Sequence, residues 1–166
     1  MNLGSYIKEL ESLVEKGYGD YPVYKEYGDI YEHMEPEERP ELTLWPAGVL
    51  QSWRGDYVKL SISEYKGYKK NLDYVEGSKW KYDDLSTHQM IVDPDAALTV
   101  EVLLEDAKNA DGKVFEGYKG GDFTMYLHTG VYADNYSHCP GFIPVKFEVQ
   151  DDKVVIRTLQ VGWNYY

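Results

Sequence analysis

The stretch F-I-P-V-K-F-E-V-Q-D-D-K-V-V-I-R-T-L-Q-V, Phe142 to Val161, decides how the rest of the chain is read. Two runs rich in β-branched and aromatic residues, about Phe142–Val149 and Lys153–Val161, flank Gln150-Asp151-Asp152. That is the pattern of a β-hairpin, two strands joined by a short polar turn. Working upstream, shorter strands are expected at about Asp122–Leu127 and Gly130–Ala133. Val58, Leu60 and Ile62 alternate with Lys59, Ser61 and Ser63, the period of a half-buried strand. Leu42 to Gln51 is apolar but contains Pro46 and Gly48, which predicts a broken strand or a bend.

Two helices interrupt this β pattern. Leu3, Ile7, Leu10 and Val14 recur at three and four residues, with Asn2 placed to cap the helix and Gly17 to stop it. Thr99 can cap a second helix whose apolar face is Val100, Leu103, Leu104 and Ala107, closed by Asn109-Ala110-Asp111-Gly112. Tyr21-Pro22-Val23-Tyr24-Lys25 reads as a short strand, which Pro22 restricts to an edge position or to starting there. The expected class is α+β: two helices packed on a mainly antiparallel β-sheet. The 166 residues suit a single domain, 1–166, with a polar Lys- and Tyr-rich insertion at about 64–94.

Composition narrows the function classes. The chain is 43% hydrophobic and 28% charged, the range of a globular protein. It lacks an apolar run of the roughly 18 residues that a membrane helix needs. Its N-terminus has no basic flank leading into an apolar block, so a cytoplasmic location is expected, with no membrane partner. Cys139 is the sole cysteine and cannot form an internal disulfide. The formal charge of -12 repels nucleic acid at long range. Residues 1–41 carry eleven acids against four bases, a local -7. Such a run is ordinarily solvated surface, but it can also imitate nucleic acid or attract a basic partner. Tyrosine, at 17 residues, suits contact surfaces because a large ring and a hydroxyl come with few rotatable bonds.

No G-x-S-x-G, H-E-x-x-H, C-x-x-C or P-loop is present, and His33, His88, His128 and His138 are scattered. The chain is therefore expected not to be an enzyme, and to use no metal and no cofactor. Two segments stand apart. In Ser52-Trp53-Arg54-Gly55-Asp56-Tyr57, one of only three arginines lies between a tryptophan and a glycine. A guanidinium there can fork onto a phosphate, and Trp53 and Tyr57 can stack on a base. The alternative is a structural ion pair at a strand-start turn. In Phe115-Glu116-Gly117-Tyr118-Lys119-Gly120-Gly121-Asp122-Phe123-Thr124-Met125, glycines permit positive φ and let a ligand approach bare amides beside the Lys119 charge. Read alone, this segment is a turn that starts a strand.

The two segments together resemble a family of small bacteriophage proteins. In it an S-[WY]-R-G-x-Y segment precedes a T-V-x-x-L-L helix, followed by G-Y-K-G-G and V-x-x-x-N-Y segments. The counterparts here are Ser52–Tyr57, Thr99–Leu104, Gly117–Gly121 and Val131–Tyr136, so the likeness covers roughly residues 42–63 and 97–140. It implies a phage origin and an α+β fold. Size and the basic and aromatic residues at glycine turns are also similar to the anti-defence sponges Sequestin and Lockin, which sequester nucleotide immune signals. That resemblance implies a homo-oligomer in the cytoplasm of an infected bacterium, binding a small-molecule nucleotide such as a cyclic ADP-ribose derivative. Arg54 and Lys119 would meet phosphates, and Trp53, Tyr57, Tyr118 and Tyr136 would enclose base or ribose, with Gly120, Gly121 and Asn135 completing the ligand-binding set. The competing expectation is an acidic inhibitor that occupies a basic groove on a host protein.

Overall fold

A computed structural model describes residues 1–27, 43–54, 58–64, 68–70, 90–92, 97–116, 120–133 and 142–160. Helix α1 spans Leu3–Glu15 and α2 spans Val100–Ala110. The strands are β1 (Val23–Tyr27), β2 (Thr43–Arg54), β3 (Val58–Glu64), β4 (Tyr68–Lys70), β5 (Met90–Val92), β6 (Val114–Glu116), β7 (Asp122–Thr124), β8 (Val131–Tyr132), β9 (Phe142–Gln150) and β10 (Lys153–Gln160). Six strands form one sheet in the order β8-β3-β2-β1-β10-β9, while β4-β5 and β6-β7 are separate two-stranded pairs. The class is the expected α+β.

The sheet is mostly antiparallel, with two parallel contacts, β1 on β10 and β3 on β8. It also curls. Its two outer strands meet at one corner, where the Ala133 N–H donates to the Phe142 carbonyl at 2.8 Å. The helices fill the inside of this curl. Leu3, Tyr6, Leu10 and Leu13 of α1 and Val100, Leu103, Ala107 and Ala110 of α2 join Val23, Ala47, Leu60, Ile62, Val154 and Ile156 in one buried cluster. The buried stripe of α1 is thus rotated from the Leu3-Ile7-Leu10-Val14 reading. Tyr6 and Leu13 are buried while Ile7 and Val14 are only partly so. The rotation follows from Tyr6, whose ring packs 5.8 Å from that of Phe147 on β9.

Both helix caps form as their residues predict. Asn2 Oδ1 accepts from the Ser5 N–H at 2.9 Å, and Thr99 Oγ1 from the Val102 N–H at 3.4 Å. The Leu3 and Gly4 N–H groups donate to the Thr129 and Leu127 carbonyls, so the turn before β8 also satisfies the start of α1. Gly17, with φ 91°, follows the end of α1.

Pro22 starts a strand, but not at an edge. β1 lies between β2 and β10, and Pro22 sits just before it, where its missing N–H costs the ladder nothing. β2 is continuous for twelve residues, and the predicted break appears as a register shift between Ala47 and Leu50, across Gly48. β3 is not half-buried. Leu60 and Ile62 are fully buried, yet so is Ser61, and Ser63 is only 6% exposed, with its hydroxyl donating to the Val49 carbonyl. Among the described residues, the 64–94 region contributes two short paired strands, β4 and β5. The C-terminal hairpin turns through Asp151-Asp152, and Asp151 takes the left-handed φ of 52°.

Candidate functional site

The described parts of the two predicted binding segments flank the antiparallel pairs β2–β3 and β6–β7. Trp53 and Arg54 end β2, opposite Lys59 and Val58 of β3, and Gly55, Asp56 and Tyr57 lie outside the described residues. Phe115 and Phe123 pair across β6 and β7, and Gly120 and Gly121 directly precede β7. Tyr118, Lys119, Asn135 and Tyr136 also lie outside the described residues.

Gly120 and Gly121 are described, and both adopt left-handed backbone, φ 81° and 89°. No atom lies within 4 Å of where a Cβ on either would sit. Their need for glycine therefore comes from conformation rather than from crowding. Residues 117–121 are bracketed by an aligned pair of acids, Glu116 opposite Asp122. Residues 116–122 thus carry two carboxylates against Lys119, a net -1, and an anion held there depends on backbone N–H donors as well as on the lysine.

The residues with the most specific described chemistry are others. Lys25, on β1, is only 1% exposed, and its Nζ donates to the Ile62 carbonyl at 2.6 Å and the Ala133 carbonyl at 2.7 Å. One side chain thereby ties the centre of the sheet to β3 and to the end of β8. The sequence held a signal for this: Lys25 shares the parity of Val23, which places both on the helix-covered face. Beside it, Glu26 is 8% exposed. Its Oε1 lies 3.1 Å from Arg157 Nε, and its Oε2 accepts from the Thr158 N–H at 3.0 Å, at the register shift in β10. Glu148 on β9 extends this set, 3.8 Å from Arg157 and 3.0 Å from Lys146. Hydrogen bonds from Lys146 and Gln150 hold its carboxyl below the usual range. This is an ion-pair row across three strands, and every member has a partner.

A second unusual group lies between the helices and β2. Asp106 of α2 accepts from the Leu50 N–H at 2.8 Å, just past the β2 register shift. Burial raises the Asp106 carboxyl, offset in part by that N–H and by the charge of Lys113. The Tyr6 hydroxyl is buried with no hydrogen-bond partner, and burial, with the Asp106 charge second, pushes it well above the ordinary tyrosine value. Among the described residues, no group of three or more His, Cys, Asp or Glu side chains is placed to hold a metal.

On the outer side of the helices, Val14 and Leu104 floor a shallow groove of about 300 Å³ rimmed by Glu101, Glu105, Lys108 and Asn109. Lys108 is held by Glu11 at 3.2 Å, so its charge is matched and the rim is acidic on balance. No helix among the described residues is long and apolar enough to cross a membrane.

The chain matches no protein-family model, no curated protein and no solved structure in the comparisons made.

Proposed function

We propose that this protein is a non-catalytic binder of a phosphate-bearing nucleotide, made by a phage to sequester a host immune signal in the cytoplasm of the infected cell. The observation that carries the reading is the Gly120-Gly121 pair. Two adjacent residues in left-handed backbone, with open space where a Cβ would sit, let a ligand approach the backbone next to Lys119 in sequence. Support also comes from the second segment, where Arg54 ends β2. A protein of charge -12 attracts an anion only through such a focused site, because its overall field opposes the approach.

Calorimetry against ADP-ribose, its cyclic derivatives and cyclic mono- and dinucleotides tests this directly. Binding of one phosphate-bearing class is expected, weakened at least about tenfold by Lys119→Ala or Arg54→Ala, as loss of a charge-assisted contact requires. Absence of binding across the panel, or unchanged affinity in the double variant, refutes it.

The acidic groove favours a second reading, an inhibitor of a basic host protein. Exposed Glu9, Glu15, Glu101 and Glu105 on α1 and α2 are its observation. Under this reading, salt-sensitive capture of a host protein is lost when Glu101 and Glu105 become Gln. Capture that ignores both salt and these substitutions removes it.

A further inference from the structure

The outer edge of β9 carries a sequence that is its own complement. β9 pairs with β10 on one side. On the other, the Ala133 N–H just after β8 donates to the Phe142 carbonyl, and among the described residues no strand pairs with β9 beyond that point. The free segment is Val145-Lys146-Phe147-Glu148-Val149. Val145 is 49% exposed and Val149 38%, and the Lys146 side chain is 67% exposed, so apolar and charged surface lie together along this edge strand.

An antiparallel pairing of two such edges about a two-fold axis at Phe147 sets Lys146 against Glu148 twice, with both residues on the Phe147 and Val149 side of the bulge that β9 makes at Val145. No neighbouring centre does this. An axis at Lys146 puts lysine opposite lysine, and one at Glu148 puts glutamate opposite glutamate. Lysine and proline on an edge ordinarily discourage strand addition. Here Pro144 lies outside the matched residues, and Lys146, already 3.0 Å from Glu148 of its own chain, gains a second carboxylate from Glu148 of the second copy at this register. The same charges that repel other strands therefore select this one.

We infer that the β9 edge is a self-association surface, through which two copies join their sheets by antiparallel β9–β9 pairing centred on Phe147. The inference is independent of the nucleotide reading. A contact built on one strand pair is small, which places it in the weak, concentration-dependent class.

Sedimentation of the purified chain up to about 1 mM tests it, a range that captures weak association. The wild type is expected to dimerise. Lys146→Glu and Glu148→Lys each place like charges opposite one another and raise the dissociation constant at least about tenfold, and the double exchange restores it. Thermal melts establish that each variant is folded. A monomeric wild type, or single variants that associate as well as wild type, overturns the inference. Should both singles dissociate without recovery in the double, cross-linking decides. On a Cys139→Ser background, mixed Lys146→Cys and Glu148→Cys chains form a disulfide-linked heterodimer if the register is right, and their failure to do so also overturns it.

Discussion

Replacing Lys25 by methionine keeps the length of the side chain and removes its three donors. In the native protein those donors satisfy at least the Ile62 and Ala133 carbonyls, at 2.6 and 2.7 Å, in an environment closed to water. Each carbonyl left without a donor costs about 1–3 kcal/mol, so the two together cost about 2–6 kcal/mol. Against this, methionine no longer requires an amino group to be stripped of water, and its thioether adapts to the space. The balance is a loss of about 2–4 kcal/mol. For a chain of this size each kcal/mol moves the melting temperature by about 2–4 °C, so Lys25→Met is expected to melt roughly 5–15 °C below wild type. Urea denaturation followed by circular dichroism measures the same change as a lower midpoint with an unaltered slope. A variant as stable as wild type would falsify the claim that Lys25 fastens the curl of the sheet. A shallower slope would instead locate the effect in the unfolded chain.

Asp106 gives a pH dependence of known sign. Its folded carboxyl is raised by burial, so the native state holds this proton at pH values where the unfolded chain has lost it. Its contribution is most favourable below the ordinary aspartate range and is lost as pH rises through the raised native value. Asp106→Asn retains an oxygen to accept from the Leu50 N–H and carries no charge. It is expected to be at least as stable as wild type at pH 7, with the advantage shrinking as the pH is lowered towards 3.8; thermal melts across that range that show a pH-independent difference refute the assignment. Asp151 occupies left-handed backbone, where a side chain is strained. Asp151→Gly is expected to raise stability by about 0.5–1 kcal/mol, and a lower urea midpoint in that variant contradicts the strain.

Where local chemistry determined the outcome, the sequence was a sufficient guide. Asn2 and Thr99 cap the helices because a short oxygen-bearing side chain before an apolar stripe has few other uses. The C-terminal hairpin formed where two β-branched runs met a polar turn. What stayed hidden depends on partners distant in the chain. Tyr6 is buried because Phe147 lies beneath it, 141 residues later, and no period within α1 reports that. Val23 pairs with Val154 in parallel, a contact that only the assembled sheet defines. Ser61 and Ser63 alternated like solvent-facing residues, yet both are buried. Gly120 and Gly121 were visible as glycine punctuation, and both take left-handed backbone. Lys25 could have been noticed as a lysine in register with Val23, but lysine on a buried face is rare enough that surface is the natural expectation.

The position of β1 bears on the order in which the molecule can be made. The strand nearest the start of the chain occupies the interior of the sheet, bounded on one side by β10, whose paired residues are 154–156. A chain emerging from a ribosome can form α1 and the β2–β3 hairpin early, because their contacts are local. It cannot close the layer beneath α1 until residues 154–156 have been synthesised. Contacts of such long sequence separation slow folding and prolong the time that Val23 and the apolar stripe of α1 remain uncovered. Nascent chains halted before residue 154 should therefore engage chaperones and remain sensitive to protease, and resistance should arise in a single late step once the final strand is available.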